Sequence, residues 1–226
     1  MQLGLMIEGQ EGLTWEGWRR LARAAEKLGF SSLWRSDHHF SLVGNTIRPA
    51  LETWISLVAA AQETKRVRFG PLVCSMTFRH PSLLARMAAQ VDVLSGGRLE
   101  VGVGAGWNVP EHEAFGFPFP PLKTRMDMLE EGVQVMQALW GEGKASFNGR
   151  HYQLKDAVCY PKPAQSPLPL VIGGIGERRT LRIAARFAHH WNAVGVASCA
   201  IPGAPRSSAP WRTPWSFPRA GWPCPA

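Results

Sequence analysis

The chain has 226 residues, and 45% of them are hydrophobic, which is enough to bury one sizeable core and excludes a disordered composition. Its formal net charge is +8, and three positive charges (Arg206, Arg212 and Arg219) lie in a tail without acidic residues. No apolar run reaches the roughly 18 residues of a membrane span, and no basic segment with an apolar core opens the chain. We therefore expect a cytoplasmic protein without a signal peptide or a membrane partner.

The predicted elements alternate between strand and helix from the start. Residues 2–8 predict an apolar strand, and Thr14 then caps a helix that Gly29 ends. A short strand over residues 31–37 and an Ala- and Leu-rich helix over residues 49–64 follow. The first two units therefore have the same order, strand and then helix.

The same order continues in the middle of the chain. A β-branched strand over residues 66–73 precedes a helix that Pro81 opens and the glycines at 96 and 97 end. A strand over residues 99–102 comes next, and a long helix covers residues 122–140. Residues 141–169 interrupt this order with an Asn148-Gly149 turn and a proline-rich stretch, which predict a β-hairpin insertion. The final predicted elements are a strand over 170–172, a helix over 177–189 and a strand over 191–194.

This alternation predicts an α/β fold with a parallel sheet, built either as an open doubly wound sheet or as a closed barrel. We interpret residues 1–196 as one domain of six strands. From residue 197 the pattern stops, because residues 197–226 contain seven prolines and three tryptophans without a period of 2 or 3.6. Our hypothesis is that this tail is aberrant sequence in place of a native C-terminal part.

Polar, titratable and glycine residues follow five successive predicted strands. In parallel α/β folds, ligands bind at the carboxyl ends of the strands, so these residues predict a site there. They are Glu8; Ser36, Asp37, His38 and His39; Cys74, Ser75, Met76, Thr77, Arg79 and His80; Gly104, Gly106, Trp107, Asn108 and Glu111; and Gly173, Gly174 and Gly176.

Among these residues, Asp37 and His38 give the most specific prediction of a functional site. Adjacent Asp and His side chains at a strand end can hold a ring by hydrogen bonds, or can move a proton near neutral pH. The alternative is an aspartate that caps a loop beside a surface histidine. The position at the strand end favours a functional pair.

Two glycine-rich segments leave predicted strands. The run VGVGAGW differs from a dinucleotide fingerprint, because Trp107 stands where the third glycine belongs and Pro110 argues against an immediate helix start. It predicts either a strand end that passes close to a flat ligand or tight packing against a neighbouring strand. The run IGGIGERRT predicts a phosphate site at a helix N-terminus, with residues 178–180 as further donors. The alternative for this run is a plain turn with solvated arginines.

A metal site and a nucleic-acid site are two further possibilities for these residues. Six residues near the strand ends are of metal-ligand type, but none of them has a spacing such as H-E-x-x-H, so a metal-dependent hydrolase is a minor alternative. They are Asp37, His38, His39, His80, Glu111 and His112. The four cysteines fit neither a zinc site nor a disulfide framework. No aromatic-basic patch or helix-turn-helix pattern indicates a nucleic-acid partner.

Several segments together resemble one known family. They are GLMIEGQEG, GFSSLWRSDHHF, the block TFRHPSLLARMAAQVDVLSGGRLEVGVGAGWN, and EHEAFGFPF with the following RMDMLEE helix. The chain resembles luciferase-like monooxygenases over about residues 1–196, and within them the coenzyme F420-dependent oxidoreductases. The resemblance implies a (β/α)₈ TIM barrel with an insertion, here truncated after about six strands.

The resemblance also implies a site. Asp37 and His38 would flank a deazaflavin or flavin ring, with His38 as proton donor or acceptor. A non-prolyl cis peptide near Leu72–Val73 would buttress that ring, with Cys74 and Ser75 beside it. The remaining cofactor contacts would come from Gly104, Gly106, Asn108, Gly173, Gly174 and Gly176. The implied chemistry is hydride transfer between a small organic substrate and coenzyme F420, or oxygenation with FMN.

One residue departs from part of the family. Sugar-phosphate dehydrogenases in it have an acidic residue after the glycines of the fourth strand, where this chain has Trp107. This difference argues against a sugar-phosphate substrate. A homodimer and a non-catalytic truncated product are further expectations that the sequence leaves open.

Overall fold

The computed structural model describes residues 2–194. The strands are β1 Gly4–Ile7, β2 Ser32–Arg35, β3 Arg68–Pro71, β4 Cys74–Ser75, β5 Val101–Gly104, β6 Ala145–Asn148, β7 Gln153–Ala157, β8 Leu170–Gly173 and β9 His190–Asn192. The helices are α1 Trp15–Lys27, α2 Thr53–Glu63, α3 Pro81–Ser95, α4 Val109–Phe115, α5 Leu122–Trp140 and α6 Thr180–Phe187. The predicted irregular tail, residues 197–226, lies outside the described residues.

The sheet is parallel, as predicted. Its strands pair in the orders β1-β2-β3 and β4-β5-β8-β9, and a parallel bridge between Phe69 and Leu99 joins the two groups. The short strand β4 continues the line of β3 after a two-residue interruption. Within residues 2–194 the result is an arc of six strand positions, and β1 and β9 do not pair with each other there.

The helices cover the sheet and are fixed to one another by tryptophan N–H groups. Trp18 of α1 is fully buried and donates to the Ser56 carbonyl of α2 at 2.6 Å. Trp140 of α5 donates to the Ala85 carbonyl of α3 at 3.0 Å. A buried indole N–H needs an acceptor, so these bonds allow large rings to pack between helices. Within the described residues, no helix combines the length and the apolar character that crossing a membrane requires.

The predicted insertion is an antiparallel hairpin of β6 and β7. Its turn has four residues, 149–152, rather than the two that Asn148-Gly149 predicted, and one carboxylate explains the difference. Glu131 of α5 accepts hydrogen bonds from the backbone N–H groups of Arg150, His151 and Tyr152, at 3.0, 2.8 and 3.2 Å. The wider turn is therefore held by the helix that precedes the hairpin.

Most predicted elements are present with shifted ends, and one prediction is wrong. Pro110 does not prevent a helix, because it stands in the first turn of α4, where the missing N–H of a proline costs nothing. The strand predicted over residues 66–73 is observed as β3, which ends at Pro71, and a cis peptide lies between Leu72 and Val73, before β4 begins at Cys74. Helix α6 begins three residues later than predicted, at Thr180.

Gly102 provides a test of the packing between β3 and β5. A Cβ at this position would collide with the Pro71 carbonyl oxygen and would lie 2.8 Å from Cγ1 of Val73. Gly102→Ala is expected to lower the free energy of unfolding by about 1–3 kcal/mol, because backbone cannot yield as a side chain can. Urea denaturation of the full chain measures this. In the control Gly141→Ala, the nearest atom to the new Cβ is 3.4 Å away, and a change below about 0.5 kcal/mol is expected. Equal effects of the two substitutions would contradict the packing argument.

Candidate active site at the carboxyl edge of the sheet

The three groups that the sequence singled out meet at one edge of the sheet. In the parallel register Arg35 stands beside Pro71, Ser75 beside Gly104, and Gly173 beside Asn192. The residues that follow these strands therefore emerge at the same edge. Asp37 and His38, the glycines of β5 and the Gly-Gly-Ile-Gly turn after β8 all belong to it, as predicted from the order of the elements.

Asp37 forms a buried ion pair. The Arg79 guanidinium bonds to both of its carboxylate oxygens, at 2.5 and 3.1 Å, and also to Glu52 at 2.7 Å. Burial alone would raise the pKa of Asp37, but the charge and hydrogen bonds of Arg79 outweigh it and hold the pKa below its usual value. The Cys74 thiol also bonds to Asp37, and burial raises the pKa of that thiol well above its usual value. Asp37 is thus a fixed negative charge, and Cys74 is a neutral thiol.

Glu111 fixes the loop that carries the histidines. Its side chain is fully buried; one carboxylate oxygen accepts the His39 backbone N–H at 2.6 Å, and the other lies 2.7 Å from Nδ1 of His38. Since a carboxylate only accepts, Nδ1 of His38 carries the proton and Nε2 is the nitrogen that can exchange one. The His38 ring meets Trp107 edge-on, with the ring centroids 5.7 Å apart. His38 is therefore held in one orientation and is not a solvated surface histidine.

His39 has a different environment from His38. Its ring packs against Phe78, Phe115 and Phe117, with ring centroids 4.5, 4.8 and 5.4 Å away. Burial lowers the pKa of His39, so the ring is held neutral among aromatic neighbours. We interpret His39 as a packing residue.

A directed chain of hydrogen bonds leads to Ser75. Nδ1 of His112 bonds to the Asn108 carbonyl at 2.6 Å, so it must be the protonated nitrogen. Nε2 then accepts from the Thr77 hydroxyl at 2.6 Å, and Thr77 in turn accepts from the Ser75 hydroxyl at 2.6 Å. This order commits the Ser75 proton to Thr77 and leaves Ser75 Oγ as an acceptor.

The predicted non-prolyl cis peptide is present between Leu72 and Val73. The Val73 side chain that follows it lies over three glycines. A Cβ at Gly104 would be 3.0 Å from Cγ2 of Val73, a Cβ at Gly173 would be 2.7 Å from the same atom, and a Cβ at Gly102 would be 2.8 Å from Cγ1. The interpretation as tight packing is confirmed, since Gly102 packs against β3 and Gly104 and Gly173 make room for Val73, while the interpretation as a strand end close to a flat ligand stays a prediction.

The turn after β8 carries free backbone donors. In the described part of the chain, the N–H groups of residues 175–179 make no hydrogen bond, and they lead into the N-terminus of α6. Such N–H groups attract anions. Of the side chains predicted to assist, Arg179 instead turns to α5, where it pairs with Asp127 at 2.7 Å. Thr180 stays close to the turn, and its Oγ1 would lie 2.8 Å from a Cβ at Gly176.

The ligand-type side chains near these strands are paired with other partners. Asp37 is held by Arg79, His38 by Glu111, and His112 by Thr77. Among residues 2–194, no three His, Cys, Asp or Glu side chains gather around a common point. The donor arrangement gives no support to the metal-dependent hydrolase that was weighed as an alternative.

Comparison with known proteins decides the family. The sequence profile described as luciferase-like monooxygenase matches residues 1–200. The chain belongs to the luciferase-like monooxygenase family. This confirms the resemblance inferred from the sequence, and with it an α/β fold of the TIM-barrel type, of which residues 2–194 supply six strand positions without closing a barrel.

Curated relatives are about one third identical to this luciferase-like family member over the aligned segments. An uncharacterized protein of Mycobacterium tuberculosis is 32% identical over 185 residues, which are 75% of this chain and 64% of the relative. The F420-dependent glucose-6-phosphate dehydrogenase of Amycolatopsis mediterranei is 36% identical over 155 residues, which are 67% of this chain and 45% of the relative. The chain thus spans less than two thirds of the length of these relatives.

Solved structures of the luciferase-like class superpose well. An F420-dependent secondary alcohol dehydrogenase, solved with an F420-acetone adduct, matches with a TM-score of 0.78 and 28% identity, covering 88% of this chain and 59% of that chain. A monooxygenase of Streptomyces bottropensis matches with a TM-score of 0.70 and 27% identity, covering 82% and 57%. These structures share the architecture that carries the site.

Four residues of the site were not assigned a role from the sequence: Glu111, Thr77, His112 and Arg79. Glu111 and His112 lie on α4, a helix that the sequence pattern did not predict because of Pro110. An Asn-x-Pro-Glu segment is itself a helix-start signal, with Asn at the cap and Pro in the first turn. That signal could have placed Glu111 and His112 side by side on one short helix.

Proposed function

We propose that this protein is an oxidoreductase that transfers hydride between a small organic substrate and coenzyme F420. The observation that carries the proposal is that three groups lie at one edge of the sheet. They are the Asp37-His38 pair, the Val73 side chain that packs over the glycines of β5 and β8, and the free N–H groups of residues 175–179. A flat ring with a phosphate-bearing chain is the ligand that such an edge would take. The names of the F420-dependent relatives support the same cofactor.

The residues at this edge fit such a cofactor. Gly104 and Gly173 allow the Val73 side chain to lie close to the strand ends, where it would support a flat ring, and the N–H groups after β8 would meet a phosphate. Ser75 Oγ would accept from a ring N–H, since its own proton is committed to Thr77. When bound, F420 would supply the carbon that takes up or gives the hydride.

Within this proposal the chain itself orients the ring and moves a proton. His38 would take or give the proton at Nε2, because Nδ1 is committed to Glu111. Asp37 would act as a fixed charge that holds Arg79 and the loop, since its low pKa keeps it ionised at neutral pH. The proposal thus gives the two members of the pair different roles, with His38 as the proton carrier that the resemblance implied.

The cofactor test uses a matched pair of substitutions in the turn after β8. Ile175 is 56% exposed, so it can be replaced without cost to the core. Titration of the full chain with F420, followed by fluorescence, should give saturable binding that Ile175→Asp weakens about tenfold, because a carboxylate would repel the phosphate. The control Ile175→Asn has the same shape without the charge and should bind within about threefold of the unchanged protein.

FMN is the second candidate, because a monooxygenase is among the similar solved structures. The same titration with FMN decides between the two. Tighter binding of FMN than of F420 would turn the proposal into a flavin-dependent monooxygenase. Saturable binding of neither cofactor would contradict the proposed function as a whole.

The proposal also includes the domain organisation, the cellular location and the oligomeric state of the protein. The oxidoreductase domain would cover residues 1–196, with residues 141–169 as its insertion. The enzyme would act in the cytoplasm as a homodimer on a small-molecule substrate, and without a nucleic-acid partner.

A further inference from the structure

An open cavity of about 420 Å³ lies beside the candidate active site. It is bounded by the loop after β2 and by the start of α4. Its walls are mainly apolar and come from Phe40, Leu42, Trp107, Val109 and Pro110. No charged side chain lines it among the described residues. Because Trp107 contacts both this cavity and the ring of His38, the cavity adjoins the proposed proton carrier.

The nearby arginines are engaged elsewhere. Arg48 pairs with Glu11 at 3.1 Å. Arg125 donates to the Gly106 carbonyl and to the Pro120 carbonyl, the latter at 2.9 Å. Arg79 is held by Asp37. A phosphate ester in this cavity would lose water without gaining a cationic partner, and that is unfavourable.

Asn108 is the polar side chain of the cavity wall that lies next to Trp107. The residue is 6% exposed, and its carboxamide makes no hydrogen bond with any other described residue. Its nitrogen and oxygen are not among the fully enclosed polar atoms of the described residues, so a ligand or water in the cavity can supply the bonds that the protein does not. A carboxamide both donates and accepts, so it suits a single hydroxyl or carbonyl group.

We propose that the substrate is a neutral, mainly apolar alcohol or carbonyl compound, whose oxygen bonds to the Asn108 carboxamide while its apolar part fills the cavity between Phe40, Leu42 and Trp107. This inference rests on the proposed function for the redox step, but the binding it describes can be measured without that step. It assigns Asn108 to the substrate rather than to the cofactor. It also separates this chain from relatives named for glucose 6-phosphate.

Binding without turnover tests the proposal. Saturation-transfer NMR on the full chain should detect cyclohexanone and should give no signal for glucose 6-phosphate. Asn108→Leu keeps the number and branching of the side-chain heavy atoms and removes the polar group, and Trp107→Glu places a charge in the wall at a residue that is 56% exposed. Each substitution should raise the dissociation constant of cyclohexanone about tenfold. Glu113→Gln, at an exposed position of the same helix, should leave it unchanged.

Three results would overturn the proposal. They are binding of glucose 6-phosphate at least as tight as that of cyclohexanone, cyclohexanone binding that neither substitution weakens, and loss of F420 binding in Asn108→Leu, which would assign Asn108 to the cofactor. If the unchanged protein binds cyclohexanone in the predicted way but binds no F420, the cavity assignment stands and the proposed function fails. The two ideas are therefore separated by the same set of proteins.

Discussion

Asp37→Asn is expected to lower the free energy of unfolding by about 3–5 kcal/mol, because it removes one member of a buried ion pair and leaves the Arg79 guanidinium undercompensated. Only Glu52 would still neutralise Arg79, and its side chain is 37% exposed. Urea denaturation of the full chain, without added cofactor, measures the loss. A decrease of this size is a large part of the stability of a typical domain.

The pH dependence of this loss follows from the lowered pKa of Asp37. A carboxylate whose pKa is lower in the folded state stabilises the fold above its unfolded pKa of about 3.9, and this stabilisation is lost as the pH falls through the folded value. The difference between Asp37→Asn and the unchanged protein should therefore be full at pH 7 and shrink below about pH 4.

A surface ion pair provides the control for Asp37→Asn. Glu63 bonds to Arg23, whose side chain is 64% exposed, at 2.7 Å. Glu63→Gln is expected to cost no more than about 1 kcal/mol. A loss in Asp37→Asn as small as this, or one that stays constant from pH 7 to pH 3, would show that Arg79 does not depend on Asp37.

Glu111→Gln is expected to lower kcat of the F420-coupled reaction about 10²- to 10⁴-fold. An amide can donate to Nδ1 of His38, which a carboxylate cannot, so the substitution permits the tautomer with its proton on Nε2. The position of the His38 ring would change little, but the ring proton would be on Nε2 instead of Nδ1. Steady-state kinetics and ¹⁵N NMR of the His38 ring measure the two effects.

Glu113→Gln is the matched control for Glu111→Gln, because Glu113 lies two residues away on the same helix but is exposed. Its kcat should stay within about twofold of the unchanged protein. F420 affinity should change little in either variant. A Glu111→Gln protein with normal kcat and an altered His38 tautomer would exclude His38 as the proton carrier.

The strand order, the hairpin insertion and the common edge of the site could all be predicted from periodicity and from turn residues. Parallel strands place their carboxyl ends together by geometry alone, so Asp37, Gly104 and Gly173 could be assigned to one edge without coordinates. The resemblance to the family supplied what periodicity cannot, namely the peptide bond between Leu72 and Val73. No propensity marks a non-prolyl cis bond in a single sequence.

The partners of the site residues could not be predicted, since they depend on distances between segments that are far apart in the chain. Arg79 reaches Asp37 across 42 residues, and Glu111 reaches His38 across 73. Composition gave no sign that Arg179 would turn towards Asp127 rather than towards the glycine turn. Such pairings depend on how the helices pack on the sheet. Side-chain periodicity predicts which face of a helix is buried, but it does not predict which partner each side chain meets.

The Val73 side chain packs over Gly102, Gly104 and Gly173, so the sizes of the residues at these four positions depend on one another. A methyl group added at residue 104 or 173 needs space that the valine now occupies, so a larger residue there would be tolerated only with a smaller one at 73, whereas residue 102 is also limited by the Pro71 carbonyl. In homologues positions 73, 104 and 173 are therefore expected to change together. The distance between a bound ring and the sheet would then depend on these residues jointly. None of them could be replaced by the residue of a relative without changing the others.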